Sequence, residues 1–145
     1  MRYFLDTSAL LKRYISEKGS HVVDSLFREE ADRYVSSLGM LECFSNLRRL
    51  HEVERALTEV QYKTLCASVL SDIESGMITV TEAMPTDIAS AASILQKRYM
   101  TPVDALQIAV ALGLGRDTVF VSSDTKLNRI AKQYRLKVLD PMGQD

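Results

Sequence analysis

Asp104 is the single ionisable residue in the segment TPVDALQIAVALGLG, residues 101 to 115. Pro102 in the first turn and glycines near the end indicate a helix, and apolar residues cover most of its circumference, as in a buried element. An ionised carboxylate there is costly unless it is paired, hydrogen-bonded or bound to a metal. Stabilisation by the helix dipole is the simpler explanation, and on this segment alone the two explanations have equal weight.

Two further aspartates directly follow short β-like runs. Asp6 follows YFL and begins DTSALLKRY, whereas Asp124 follows VFVSS and begins DTKLNRIAKQY. Either residue could be an ordinary helix N-cap, which stabilises a helix by about 1 kcal/mol. In a parallel α/β sheet, however, ligands bind at the carboxyl ends of the strands, where both aspartates would lie.

Glu42 is the fourth acid of interest. It lies in SSLGMLECFSNLRRL, a helical pattern that follows the β-like run RYVS. On a helix it shares a face with Ser45, Asn46 and Arg49, away from an apolar stripe. A solvated polar face explains Glu42 equally well when the residue is taken alone.

Taken together, the four acids predict a metal site. An α/β topology directs all of them toward one end of the sheet, and two carboxylates within about 6 Å repel by roughly 3 kcal/mol at an effective dielectric of about 20. Divalent cations would offset this repulsion, and sites made only of oxygen ligands suit Mg²⁺ or Mn²⁺, which also engage substrate phosphates. The set therefore points to metal-assisted phosphodiester hydrolysis.

The elements that would position these acids alternate along the chain. The β-like runs cover residues 3–5, 33–36, 77–80, 118–121 and 136–139. Helical patterns cover residues 8–15, 20–30, 38–55, 58–75, 86–97, 102–114 and 125–134. Strands that alternate with helices predict an α/β fold with a mostly parallel central sheet flanked by helices. No linker or repeat divides the chain, so we expect a single domain over residues 1–145.

Composition limits the class of protein. A chain of 145 residues with 46% hydrophobic and 26% charged residues is about one domain long and globular. It shows no charged leader and no apolar run of membrane length, so we expect a cytoplasmic protein. The net charge of −1 means that a polyanion would have to be held by a local basic patch. Cys43 and Cys66 lack CxxC spacing and predict two buried thiols.

Four motifs in this order resemble the PIN-domain ribonucleases, and specifically the VapC-type toxins of prokaryotic toxin–antitoxin pairs. The motifs are LDTSALLKRY, LECFSNLRRL, TPVDALQIAVAL and FVSSDTKLNRIAKQYRLKVLDP. The resemblance covers nearly the whole chain. It implies that Asp6, Glu42, Asp104 and Asp124 are the metal ligands, and that Thr7, Ser8 and Ser122 are hydroxyl groups that orient the carboxylates or contact substrate.

The same resemblance implies an activity and partners. The activity would be Mg²⁺- or Mn²⁺-dependent hydrolysis of RNA, leaving a 5′ phosphate and a 3′ hydroxyl. The partners would be a second copy of the chain and a VapB-type antitoxin, bound in a groove shaped by the helices of residues 58–83. Five cations are candidates for RNA phosphate contacts, with Arg49 first because it lies two turns from Glu42 on the same face: Arg49, Lys12, Arg13, Arg116 and Lys126.

Two alternatives stay open at this point. One is a non-catalytic PIN-like or receiver-like module that binds metal or RNA for regulation, and the other is a PIN nuclease in RNA processing that has no antitoxin. Other phosphoryl and acyl chemistries lack their motifs. Ser8 stands where a haloacid-dehalogenase-type phosphatase needs a second aspartate, and Asp124 is not part of the DxD motif of a Toprim-type nuclease. The chain also has neither the GxxxxGK loop of P-loop proteins nor the GxSxG elbow of serine hydrolases.

Overall fold

The structure is a computed structural model that describes residues 1–143, in which one or two helices separate each of five strands from the next. Gln144 and Asp145, the end of the predicted domain, lie outside the described residues. The strands are β1 (Arg2–Leu5), β2 (Asp32–Ser36), β3 (Thr79–Thr81), β4 (Thr118–Val121) and β5 (Lys137–Leu139). The helices are α1 (Thr7–Tyr14), α2 (Ser20–Arg28), α3 (Ser37–Glu52), α4 (Glu59–Glu74), α5 (Pro85–Lys97), α6 (Pro102–Gly113) and α7 (Thr125–Gln133).

Strand β1 occupies the centre of the sheet. The strand order is β3-β2-β1-β4-β5, and every neighbouring pair is parallel, so that Phe4 stands opposite Tyr34 on one side and Phe120 on the other. The chain moves from β1 to β2 and β3, then returns to the other side of β1 for β4 and β5. Open parallel sheets bind ligands at the carboxyl ends of the strands, where the order reverses in this way. The predicted α/β fold is confirmed.

Two hydrophobic cores cover the two faces of the sheet. Successive side chains of a strand point to opposite faces, so Tyr3 and Leu5 enter one core and Phe4 enters the other. The first core packs against α1 to α4, and the second packs against α5 to α7, where the rings of Phe4 and Phe120 stack with centroids 5.9 Å apart. Cys43 is buried and Cys66 is half-buried, and both thiols are free.

Most element boundaries agree with the sequence prediction to within one residue, and two of the larger differences have a clear physical reason. Strand β3 begins at Thr79 instead of residue 77, because the N–H of Ile78 donates to the carbonyl of Asp72 at 3.0 Å and closes the end of α4. Helix α3 ends at Glu52 instead of residue 55, and Arg55 has a left-handed φ of 54°, which a continuing α-helix excludes. Of the helices within residues 1–143, none combines the length and hydropathy needed to cross a bilayer.

Candidate active site

The four predicted acids line one cleft at the carboxyl edge of the sheet. The cleft has a volume of about 280 Å³, and Asp6, Glu42, Asp104 and Asp124 all form part of its wall. Each acid comes from a different helix, because Asp6 caps α1, Glu42 lies in α3, Asp104 lies in α6 and Asp124 caps α7. The parallel order of the sheet therefore brings together side chains that are far apart in sequence.

Asp6 is the most constrained of these acids and is only 5% exposed. Its Oδ1 accepts hydrogen bonds from the Ser8 hydroxyl at 2.7 Å and from the Ala9 N–H at 2.9 Å. Its Oδ2 accepts from the Ser122 hydroxyl at 2.5 Å. Burial raises the pKa of Asp6 to about 6, although these hydrogen bonds oppose the rise. The carboxylate is thus held in one orientation at the floor of the cleft.

Two serine hydroxyls join the loop after β1 to the loop after β4. The Ser122 hydroxyl, which donates to Asp6, also accepts the N–H of Asp124 at 3.0 Å. The Ser8 hydroxyl also donates to Asp6 and accepts the N–H of Ser123 at 3.0 Å. Because each hydroxyl both donates and accepts, the two serines fix Asp6 relative to the loop that carries Asp124.

Thr7 contacts a different acid. Its hydroxyl donates to Oε1 of Glu42 at 3.0 Å, joining the start of α1 to the second turn of α3. Glu42 makes no other side-chain hydrogen bond within residues 1–143. Thr7 therefore orients Glu42 toward the cleft, as Ser8 and Ser122 orient Asp6.

Asp104 and Asp124 both lie at helix N-termini. Thr101 caps α6 by accepting the N–H of Asp104 at 3.2 Å, so Asp104 stands in the first turn, as expected. Asp124 caps α7, and its Oδ1 accepts the N–H of Leu127 at 3.0 Å. Desolvation raises the pKa of half-buried Asp104, and the charge of Asp124 adds to the rise, whereas Lys126 opposes it. Capping and placement in the cleft therefore coexist in these residues.

The donor set of the cleft fits a hard divalent cation. Within residues 1–143, none of the four carboxylates forms an ion pair with a lysine or arginine. No three acids in that part of the chain converge tightly enough to form a complete coordination set. Mg²⁺ does not require one, because it keeps several waters and is commonly held by one or two carboxylates together with substrate phosphate.

Two of the five candidate cations lie at the cleft. Arg49 lines it from α3 but remains 58% exposed, and its Nε lies 3.9 Å from Glu54 Oε1. Lys126 lines an adjoining hollow together with Asp104 and Asp124.

The other three cations lie elsewhere, contrary to expectation. Lys12 is buried and donates to Glu17 at 3.0 Å. Arg13 pairs with Asp72 and lies over the ring of Phe27, on the side of α1 that faces α2 and α4. Arg116 precedes β4 and so lies at the amino edge of the sheet, about 13 Å from the carboxyl edge across a four-residue strand.

Gln107 is a residue of the cleft that the sequence prediction omitted. It lies one turn after Asp104 and is only 2% exposed. Its Oε1 accepts a hydrogen bond from the Ser36 hydroxyl at 2.7 Å. That bond sets the direction of the amide and leaves Nε2, which has no acceptor within residues 1–143, as a donor. The signal was present in the sequence, because Gln107 is the polar side chain nearest to Asp104 on its apolar helix. Asn46, one turn after Glu42, also lines the cleft.

A comparison with models of protein families identifies the family of this chain. The chain belongs to the PIN domain family, whose model matches residues 3–133. PIN domains are generally nucleases and generally depend on divalent metal ions. The predicted family is thereby confirmed. A comparison with curated protein sequences finds no match.

Solved structures share the fold over nearly their whole lengths. A chain of the VapBC2 complex from Rickettsia felis, bound to a DNA fragment from its promoter, is 14% identical with a TM-score of 0.69 and coverage of 97% of this chain and 98% of that one. A chain of VapBC-1 from nontypeable Haemophilus influenzae is 16% identical, with a TM-score of 0.67 and coverage of 97% and 98%. PAE2754 from Pyrobaculum aerophilum is 22% identical, with a TM-score of 0.67 and coverage of 97% and 90%.

Proposed function

We propose that the protein is a divalent-metal-dependent ribonuclease in which Asp6, Glu42, Asp104 and Asp124 hold Mg²⁺ or Mn²⁺. The observation that carries this function is one cleft lined by all four carboxylates, none of which is paired with a basic side chain of residues 1–143. Such an arrangement leaves negative charge that a hard cation would offset. Membership in a family of nucleases supports the same chemistry.

The residues of the chain have separable roles in this reaction. A bound divalent cation supplies Lewis acidity and lowers the pKa of the attacking water. Asp6, fixed by Ser8, Ser122 and the Ala9 N–H, provides a rigid ligand at the floor of the cleft. Asp104, half-buried and with a raised pKa, would be a further ligand on the wall of the cleft, and one of the four acids would accept the proton of the attacking water.

RNA phosphates require cations besides the metal, because the acids repel a polyanion. Arg49, which lines the cleft, and Lys126, which lines the adjoining hollow with Asp104 and Asp124, would bind phosphates of the substrate. Gln107 Nε2 adds a neutral donor within the cleft. Cleavage that leaves a 5′ phosphate and a 3′ hydroxyl is the outcome implied by the resemblance to PIN ribonucleases.

Digestion of RNA by the purified protein tests this function. We expect cleavage in Mg²⁺ or Mn²⁺, loss of cleavage in EDTA, and loss in Asp104→Asn. Asp117→Asn is the matched control, because it removes the same charge from a highly exposed carboxylate outside the cleft, and it should cleave normally. Cleavage that survives both EDTA and Asp104→Asn would refute the metal mechanism. Metal or RNA binding without cleavage would favour a regulatory module.

An antitoxin is the proposed protein partner, which would make the nuclease a toxin. An apolar groove of about 360 Å³ lies between α1 and α4 and is lined by Tyr14, Ile15, Leu57, Val60 and Leu65. Val60 is 75% exposed on this face, where an apolar segment of a partner would cover it. Structures of similar fold come from VapBC complexes, which supports a VapB-type partner.

Co-expression tests the partner. A short open reading frame upstream of the gene should encode a protein that co-purifies with this chain and suppresses its toxicity to cells. Val60→Asp should abolish co-purification, whereas Met84→Asp, at an exposed residue that caps α5, should not. Failure to find any such neighbour, with RNA cleavage intact, would indicate an RNA-processing nuclease. Light scattering of the purified chain tests the predicted homodimer.

A further inference from the structure

Tyr99 projects into solvent beside the candidate active site. It lies in the connection between α5 and α6 and is 86% exposed. The other tyrosines have partners, because Tyr3 and Tyr14 donate to carboxylates and the rings of Tyr34, Tyr62 and Tyr134 lie against Arg2, His51 and Lys97. Within residues 1–143, Tyr99 makes no hydrogen bond or aromatic contact. Its ring contributes little to the fold and is free to bind something else.

The surroundings of this ring are continuous with the acid cleft. Tyr99 lines a small hollow together with Thr101, Asp104, Asp124 and Lys126. Asp104 and Asp124 line both this hollow and the acid cleft, so they form the boundary between the two. A chain that leaves the acids on this side meets the hollow that Lys126 and Tyr99 line.

A flat aromatic face next to a cation matches the chemistry of a nucleotide. The ammonium of Lys126 suits a phosphate, and the open ring of Tyr99 suits the face of a base. The hollow itself has a volume of about 90 Å³, room for roughly three waters, so a base would lie over the ring instead of entering the hollow. Stacking of this kind is tolerant of sequence, because every base has a π face.

We propose that Tyr99 and Lys126 form a nucleotide subsite that binds an unpaired base and a phosphate of single-stranded RNA beside the cleaved bond. This subsite rests on the ribonuclease function proposed above and assigns its base and phosphate contacts to two residues outside the acid cleft. In a duplex, both faces of a base are covered by its neighbours in the stack. A base in a loop, bulge or single strand can therefore stack on the ring of Tyr99, whereas a base inside a duplex cannot.

Equilibrium binding without cleavage tests the subsite. The Asp6→Asn protein in EDTA keeps every residue of the hollow, and its affinity for a fluorescent single-stranded RNA oligonucleotide is measured by anisotropy. In that background Tyr99→Ala should weaken binding roughly 5- to 100-fold, whereas Tyr99→Phe should bind as the parent does, because it keeps the ring. Loss of the ring should have no effect on binding of a duplex.

An abasic oligonucleotide separates stacking from other contacts. Removing the base beside the cleaved bond should lower the affinity of the parent protein for the oligonucleotide. The parent and the Tyr99→Ala variant should then bind the abasic strand with equal affinity. Lys126→Gln should lower the slope of log affinity against log salt by about 0.7, and Lys63→Gln, which removes an exposed lysine from α4, should leave it unchanged.

Several results would overturn the subsite. One is that Tyr99→Ala binds RNA as tightly as the parent does. Another is that Tyr99→Ala weakens binding of the abasic strand as much as binding of the intact strand. The third is that Tyr99→Ala weakens antitoxin binding and leaves RNA binding unchanged. The digestion assay reports on the ribonuclease function separately. If RNA binding depends on the Tyr99 ring but the protein never cleaves RNA, the subsite is supported and the ribonuclease function is refuted. If the protein cleaves RNA but binding does not depend on the ring, the ribonuclease function is supported and the subsite is refuted.

Discussion

The hydroxyl of Ser122 lies 2.5 Å from Oδ2 of Asp6 and donates to it, although the two residues are 116 positions apart in sequence. The same oxygen accepts the N–H of Asp124. One buried hydroxyl thus links two of the four acids and holds β1 and β4 together at the edge where the cleft opens.

Removal of this hydroxyl should damage both stability and activity. Ser122→Ala leaves a buried carboxylate oxygen without its donor, which costs about 1–3 kcal/mol of unfolding free energy. The neighbouring Ser123 hydroxyl is buried and has no partner within residues 1–143, so Ser123→Ala is a matched control with little expected effect. Urea denaturation and the rate of RNA cleavage measure the two effects. Equal losses in both variants would contradict a specific role for Ser122.

The buried Asp6 carboxyl should make stability depend on pH in the absence of metal. Burial raises its pKa from 3.8 to about 6, so folding takes up a proton between these values, and stability falls as the pH rises through that window. The full shift corresponds to roughly 3 kcal/mol at most. Asp6→Asn keeps an N-cap acceptor without the charge, and it should gain stability over the wild type at pH 7.5 but lose this advantage at pH 4.

Urea denaturation in EDTA at both pH values tests the effect of Asp6. Addition of Mg²⁺ should stabilise the wild type and leave Asp6→Asn less affected, because a cation offsets the buried charge. A difference between the two proteins that stays constant with pH would show that the Asp6 carboxyl does not titrate in this range.

Gly39 should tolerate no side chain while Gln107 is present. A Cβ at residue 39 would lie 2.8 Å from Nε2 of Gln107 and 3.1 Å from the Ser36 hydroxyl. Gly39→Ala should therefore destabilise the protein by about 1–3 kcal/mol and turn the Gln107 amide out of the cleft. In a double-mutant cycle, Gln107→Ala should relieve most of this cost. Additive losses would mean that the two residues do not interact.

Arg49 and Arg116 offer a matched pair for the role of phosphate contacts. Arg49 lines the acid cleft, whereas Arg116 is exposed at the opposite edge of the sheet. Arg49→Gln should raise KM for RNA. It should also lower the slope of log affinity against log salt concentration by about 0.7. Arg116→Gln should change neither quantity. Similar effects of both substitutions would indicate long-range attraction instead of a local contact.

The sequence predicted that the four acids lie together because their placement depends on topology. Asp6 and Asp124 directly follow strands, and in a parallel sheet those strand ends meet at one edge. All four acids line the cleft as a result. Their role as metal ligands stays a prediction.

The cations were predicted less well because their placement depends on tertiary contacts. Lys12 pairs with Glu17, and Arg116 lies close to Asp124 in sequence but across the full length of β4 from it. The contact between Gln107 and Ser36 escaped prediction because the two residues are 71 positions apart. Long side chains and distant partners leave no periodic signal in the sequence.

The strand order also determines when the cleft can exist during synthesis. The central strand β1 is made first, and its neighbour β4 and the outer strand β5 are made last. A nascent chain that ends at α6 contains Asp6, Glu42 and Asp104 but lacks Asp124 and the hydroxyl of Ser122. Since domains fold as units, the cleft forms only after β4 and α7 have been made. A partly synthesised chain would therefore lack the complete acid set on which the proposed cleavage of RNA depends.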